Sequence, residues 1–390
     1  MKNGQRIHGI DALRAIAMLL GVVFHATLAY KAKIHGGNQP HDQQFNSWIF
    51  DLLGFYVHSF RMPLFFIIAG YFCRFLYYKI GERQFIRHRW KRIGIPLLVG
   101  SITIVPLSLF PNFLYEAVYI DGMAWQEGWK VSFLKMFKRN GLYHLWFLYD
   151  LAMFYFITVV LLRLNRMNMV KRASGAFSSW WSQLSFRKWF WPLLLSVPIW
   201  GILYFERDLF VFVDVHFIPK HPSYILFYGY FFGLGWLLEK RTDIFGILIE
   251  KRTIFIVLGT LLCLLLFYFD WNKQVYRSFA WWSIVKWAAG FEVILLSLGF
   301  IGFFLHYFNT ESYLWRYVSD ASYWVYLTHL GLVVWLQLLF LNSAVPGILR
   351  FPLVLGIASL VTFVTYQWWV RYTFIGNILH GPRKRRSPGK

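Results

Sequence analysis

Runs of about twenty apolar residues recur along the whole 390-residue chain, and no other feature constrains its fold as strongly. A transmembrane helix needs about twenty such residues to cross a hydrocarbon core roughly 30 Å thick. The runs are continuous, whereas membrane β-barrels are built from short segments of alternating polarity. Ten runs qualify, at 11–30, 51–73, 93–110, 144–162, 190–205, 223–238, 253–269, 283–305, 321–341 and 351–370. The chain is predicted to be all-α, a polytopic membrane protein of about ten transmembrane helices.

Loop charge tests that count. The segments 1–12, 74–92, 163–188, 239–252, 306–320 and 371–390 hold 26 of the 40 lysines and arginines, and the intervening loops hold 11. Lysine and arginine concentrate in cytoplasmic loops, so both termini are expected in the cytoplasm. The net charge of +22 is thereby read as membrane topology, with no nucleic-acid partner implied. The expected organisation is one transmembrane domain over 1–370 and a basic cytoplasmic tail over 371–390, beside anionic lipid. Cys73 and Cys263 both fall in apolar segments, where cysteine behaves as a small buried hydrophobe. The longest external loop, Pro111 to Tyr143, is aromatic and placed to cover an external cleft.

Within this frame the first segment, IDALRAIAMLLGVVFHATLAY, carries both Arg14 and His25. Charged groups in hydrocarbon are costly and usually face a cavity or a partner. Eleven residues on an α-helix make about 1100° of rotation, within about 20° of three full turns. Arg14 and His25 therefore share one stripe, separated along the axis by roughly 16 Å. One is a permanent cation near a membrane surface; the other is a titratable base deep inside. Arg14 interrupts the apolar core and no good cleavage pattern follows, so the segment is expected to be retained rather than cleaved as a signal peptide.

Other ionisable groups lie in or beside the remaining runs. His58 and Arg61 share a face of the second, followed by Pro63, where a kink or break is expected. Arg89 and Arg92 stand one turn apart before the third and can cluster with Arg14 into guanidinium forks suited to phosphate. His144 opens the fourth run, with Asp150 about 9 Å further in. Glu292 lies in the eighth run and His329 in the ninth. Either carboxylate is a candidate to orient a histidine or to pair with Arg61. No HExxH, GxSxG, Walker loop or acidic metal box is present, which disfavours hydrolase, ATPase and metal-dependent mechanisms, and no metal is expected. A histidine at mid-depth suits general-base chemistry, because its ordinary pKa lies near neutrality. Two activity classes fit these residues: group transfer across the membrane, or transport of a glycan or lipid-linked sugar.

The blocks DALRAIAML with Arg14 and His25, HSFRMPLFFIIAGYF, RWKRIGIP, HLWFL and SYWVYLTHL occur in order over nearly the whole chain. In this the sequence resembles acyltransferase family 3, integral-membrane enzymes that modify cell-envelope molecules. It looks most like the branch named for glucan biosynthesis protein C, which succinylates periplasmic glucans. The resemblance implies transfer of a succinyl or acetyl group from cytoplasmic acyl-CoA, as donor substrate rather than bound cofactor, to a glycan hydroxyl. The alternative acceptors are a lipid or a small molecule. A multi-pass protein of the bacterial cytoplasmic (inner) membrane is implied with it. His25 matches the family's essential histidine, and Arg14, Arg89 and Arg92 match the arginines implicated in handling the donor. On this reading Arg61, beside His58, stabilises the oxyanion or binds the distal carboxylate of a succinyl group. His144 and His329, with Asp150 and Glu292, are supporting polar groups.

Overall fold

A computed structural model describes residues 7–33, 39–138, 141–165, 179, 181, 183, 190–211, 221–272 and 278–383. Most of the basic segment 163–188 and residues 384–390 of the expected tail lie outside the described residues. The described chain is helical: α1 (His8–Thr27), α2 (Trp48–Ile80), α3 (Glu82–Ile120), α4 (Trp125–Lys135), α5 (Trp146–Leu164) and α6 (Trp191–Leu203). There follow α7 (Pro222–Glu239), α8 (Ile244–Trp271), α9 (Phe279–Tyr307), α10 (Tyr313–Phe340), α11 (Gly347–Val370) and the short α12 (Phe374–Leu379).

Among the described residues, eight helical stretches are long and apolar enough to cross a membrane. The other two expected spans are α6 and α7, which are helical but shorter, at 13 and 18 residues. At 1.5 Å per residue α6 extends only about 20 Å, less than a hydrocarbon core. This is an all-α polytopic membrane protein.

Local chemistry sets the helix ends. Ser47, Ser278 and Ser312 cap α2, α9 and α10 by accepting from a backbone N–H of the first turn. Gly81, at φ 78°, takes the left-handed conformation between α2 and α3 that other residues adopt only with strain. Two expectations are corrected here, a break at Pro63 and a loop over 111–143. Pro63 does not break α2, which runs unbroken for 33 residues. A proline removes one i to i−4 bond, and packing on both sides of it holds the helix together. Residues 111–143 are largely helical rather than an irregular loop. α3 continues through Pro111 to Ile120, and α4 folds back so that Trp129, Phe110 and Trp335 of α10 meet with centroids 4.9–5.8 Å apart.

Close crossings need small residues. Gly70 of α2 lies against the carbonyl of Phe232, and Gly235 of α7 lies against that of Ile67. A Cβ at either position would collide with backbone, so the two glycines let α2 and α7 touch main chain to main chain. Aromatic rings then fill the space around the crossing, with Phe66 against Phe147, Phe154 and Tyr228 at centroid distances of 4.8–5.5 Å.

The feature that positions the site is the pairing of α1 with α10. Arg14 Nη2 donates to Ser319 Oγ at 2.8 Å, His25 stacks near His329, and Gln337 Nε2 donates to the carbonyl of His25 at 3.0 Å. The two helices therefore run parallel over their length. α2 runs antiparallel beside them, with Arg61 at the level of Gly21 and Phe72 at the level of Arg14. Arg383 reaches Asp320 of α10, one residue from the partner of Arg14, so the described N- and C-terminal ends lie at the same end of the bundle.

Candidate active site

Two clusters of polar groups lie along the α1–α10 seam. At the end shared by the termini, Arg14, Arg89 and Arg92 come together as their positions in the sequence suggested. Arg14 stands over the ring of Phe72 at 5.8 Å, and Arg89 Nη2 reaches the carbonyl of the same residue at 3.5 Å. Arg89 also lies over Tyr155 at 4.6 Å. Arg92 Nη1 bonds the carbonyl of Leu379 at 3.4 Å, and Tyr323 donates to the carbonyl of Arg92 at 2.7 Å. Arg14 keeps 39% of its side-chain surface exposed, with Asp11 at 3.5 Å as its carboxylate neighbour. The tail is not wholly free of the bundle: Arg383 forks onto Asp320 with two bonds of 2.8 Å, which holds its guanidinium pKa above the ordinary value. What the cluster offers is several guanidinium groups and aromatic faces at one mouth.

Three turns along α1 lies the second cluster, drawn from four elements. α1 contributes His25 and Phe24, α2 contributes His58 and Arg61, the turn before α5 contributes His144, and α10 contributes His329. His58 stacks on Phe24 with centroids 5.2 Å apart, and the Arg61 guanidinium lies over the same ring at 5.5 Å. His329 sits 5.3 Å from His25 and 6.2 Å from His144, centroid to centroid. Gly21 gives the room: a Cβ there would lie 2.5 Å from Arg61 Nη1 and 3.8 Å from His329 Nε2. Although they stand in the interior of the bundle, His25, His58 and Arg61 each keep some accessible surface.

The hydrogen bonding of this cluster is incomplete. Buried and without partners among the described residues are His25 Nδ1, His58 Nδ1, Arg61 Nε, His144 Nδ1 and His329 Nε2. Each such atom costs about 1–3 kcal/mol, and buried polar groups in native proteins are rarely left this way. Arg61 has no carboxylate within ion-pair distance among the described residues, and a buried unpaired cation is costlier still. Five such atoms stand together here, a grouping that suits a polar ligand. The backbone is strained there too: Tyr143, immediately before His144, has φ 47°, a conformation that costs a non-glycine residue of order 1 kcal/mol.

The two carboxylates expected to assist are placed differently. Glu292, fully buried, lies 2.8 Å from Ser59 Oγ and ties α9 to α2 beside His58. Asp150, 2% exposed, accepts from the hydroxyl of Tyr224 at 2.6 Å. Neither is brought onto Arg61. Two contributors were not singled out from the sequence: Gly21, whose lack of a side chain admits Arg61, and Tyr326, whose hydroxyl anchors the His144 carbonyl at 2.6 Å. Tyr326 lies one turn before His329, a spacing that could have linked the two. Among the described residues no group of three His, Cys, Asp or Glu side chains is arranged to hold a metal ion.

The sequence is similar to those of known proteins. Glucans biosynthesis protein C from Escherichia coli strain SMS-3-5 / SECEC is 32% identical over 169 residues, which is 42% of this chain and 41% of the relative. The proteins of that name from E. coli O6:K15:H31 (strain 536 / UPEC) and from strain K12 align with the same identity and coverage. The alignment thus spans about two fifths of the length of these curated relatives. No solved structure matches. The family model described as an acyltransferase domain matches residues 7–367, and with nearly the whole chain inside it the protein belongs to acyltransferase family 3.

Proposed function

We propose that the protein is a membrane-embedded O-acyltransferase that moves a succinyl or acetyl group from acyl-CoA to a hydroxyl of a periplasmic or cell-surface glycan. The observation that carries this reading is the seam itself: guanidinium groups at one end of α1, and unsatisfied imidazoles three turns away on the same stripe. The arginine end faces the cytoplasm by the loop-charge rule, in a bacterial cytoplasmic membrane. Arg14, Arg89 and Arg92 bind the phosphates of the donor, and its pantetheine arm runs along α1, a helix path of roughly 16 Å from Arg14 to His25.

The acceptor hydroxyl enters from the opposite end. His25 takes its proton as the oxygen attacks the thioester carbonyl. The carbon–sulfur bond breaks, the thiolate leaves, and the proton on His25 passes to sulfur. Arg61, with no carboxylate of its own, stabilises the negative charge on the carbonyl oxygen, or holds the distal carboxylate of a succinyl donor. His58 flanks it across Phe24. Donor and acceptor meet at one point from two sides, which favours direct transfer over an acyl-histidine intermediate. Transport of an unmodified glycan, the other class compatible with the sequence, has no need of converging imidazole lone pairs.

Mass spectrometry of periplasmic and surface glycans tests the proposal, comparing wild type with His25→Ala at matched membrane levels. A succinyl or acetyl increment present in wild type and lost in the variant is expected. Identical glycans from both strains would overturn it.

A further inference from the structure

Two of the histidines have their tautomers fixed by the backbone. His144 Nε2 lies 3.0 Å from the carbonyl of Leu327. His329 Nδ1 lies 3.0 Å from the carbonyl of Val325 and 2.8 Å from that of Tyr326. A carbonyl only accepts, so these nitrogens carry the hydrogens, and the opposite nitrogen of each neutral ring is a bare lone pair. Those opposite nitrogens, His144 Nδ1 and His329 Nε2, are the ones that are buried without a partner. The rings are 6% and 2% exposed and stand 6.2 Å apart.

The chemistry of the missing partner follows from what surrounds it. A lone pair needs a donor, which excludes a carboxylate or phosphate at this position. Arg61 alongside repels a cation, which excludes an ammonium group. A neutral O–H or N–H donor remains, and a glycan acceptor brings the O–H. A hydroxyl carries one proton and can satisfy one lone pair, so two lone pairs call for two hydroxyls. The effort spent on presenting His144 agrees with a demand for accuracy: its ring and its carbonyl are both anchored, and Tyr143 before it is strained.

We infer that His144 and His329 form a seat for two hydroxyls that neighbour the acylated one, so that the enzyme selects a polyol, as on a sugar ring, over an isolated alcohol. This rests on the acceptor reading above and deepens it. His25 deprotonates the hydroxyl that is acylated, while His144 and His329 hold its neighbours and fix its approach.

The test uses the full chain in phospholipid vesicles, with succinyl-CoA or acetyl-CoA as donor. Methyl glucoside and its single-deoxy analogues serve as acceptors. In wild type, removing one or more particular hydroxyls is expected to raise the acceptor KM about tenfold or more, as loss of a hydrogen bond to a buried group does. His329→Leu should raise the acceptor KM similarly, abolish that discrimination and leave the donor KM unchanged. His329→Gln, which keeps an acceptor oxygen near the position of Nε2, should restore most of the affinity.

Unchanged acceptor KM and unchanged discrimination in His329→Leu would overturn the inference. So would equal loss of kcat in the Leu and Gln variants, since that marks a titrating base. Thermal unfolding with methyl glucoside supplies a readout independent of turnover. Stabilisation by methyl glucoside but not by its deoxy analogues, lost in His329→Leu, supports the seat even if no acyl group moves and the transfer reading fails. No stabilisation of wild type, together with turnover that ignores the deoxy positions, sinks the seat and leaves the transfer reading standing.

Discussion

Arg350 and Arg61 are two arginines enclosed by the same bundle, and they are treated in opposite ways. Arg350, 4% exposed, uses every nitrogen of its guanidinium group. Nη1 bonds Asp42 at 2.6 Å and the Leu341 carbonyl at 3.3 Å, Nη2 reaches Gln44 and the Ser343 carbonyl, and Nε donates to Val345. Asp42 in turn accepts from the backbone of Gln44 and Phe45, so the segment after α1 is locked onto the start of α11. Arg61 has an aromatic face, an orphaned Nε and, among the described residues, no carboxylate. Burying a charge is tolerable when its partners are supplied within the fold. Where they are withheld, the partner comes from outside. The satisfied arginine is part of the scaffold, and the unsatisfied one is part of the candidate site.

That contrast is open to direct attack. Arg350→Ala leaves Asp42 buried and unpaired and should cost about 3–5 kcal/mol of stability, read as a large fall in the unfolding midpoint of detergent-solubilised protein. A loss below about 1 kcal/mol would show that the pair is no clamp. Arg61→Gln should do the reverse. Acyl transfer in vesicles is expected to fall by about 10²–10³-fold, while the unfolding midpoint stays level or rises because an uncompensated cation is gone. A midpoint drop matching that of Arg350→Ala would erase the distinction between scaffold and site. Glu292→Gln is the mildest case. Ser59 Oγ also lies 3.0 Å from the Tyr56 carbonyl, so one hydroxyl proton faces two acceptors, and a glutamine amide can donate to Ser59 in return. A stability change within about 1 kcal/mol is expected, with transfer retained. Loss of transfer at full stability would move Glu292 from the scaffold into the chemistry.

Periodicity made much of this legible. Eleven residues between Arg14 and His25 place them on one stripe in any helix, and α1 keeps both on its seam with α10. His58 and Arg61, three apart, both reach Phe24. The apolar runs mark the helices because burial in hydrocarbon imposes a length that composition records. The rest depends on contacts between distant segments, which no local pattern encodes. Glu292 was readable as an intramembrane carboxylate, but its partner Ser59 was not, because a serine on an apolar helix has no signature. Pro111 reads as the end of a span. The helix passes through it because aromatic residues on either side pack against α4 and α10. α6 is short, as its short hydrophobic run indicated. The tautomers of His144 and His329 follow from which carbonyls the rings meet, and only the assembled bundle decides that.

The parallel pairing of α1 and α10 also says when the protein becomes an enzyme. Arg14 and its partner Ser319 are separated by 305 residues, so the first helix emerges long before the helix that completes its polar seam. At about 5–20 residues per second of synthesis, that interval is roughly 15 to 60 s. Throughout it Arg14 and His25 stand without α10, and Arg61 lacks the wall that His329 supplies. Every earlier helix can be inserted and packed while the reaction centre does not yet exist. Activity is therefore a property of the finished chain, gained only when one of the last helices slides in beside the first.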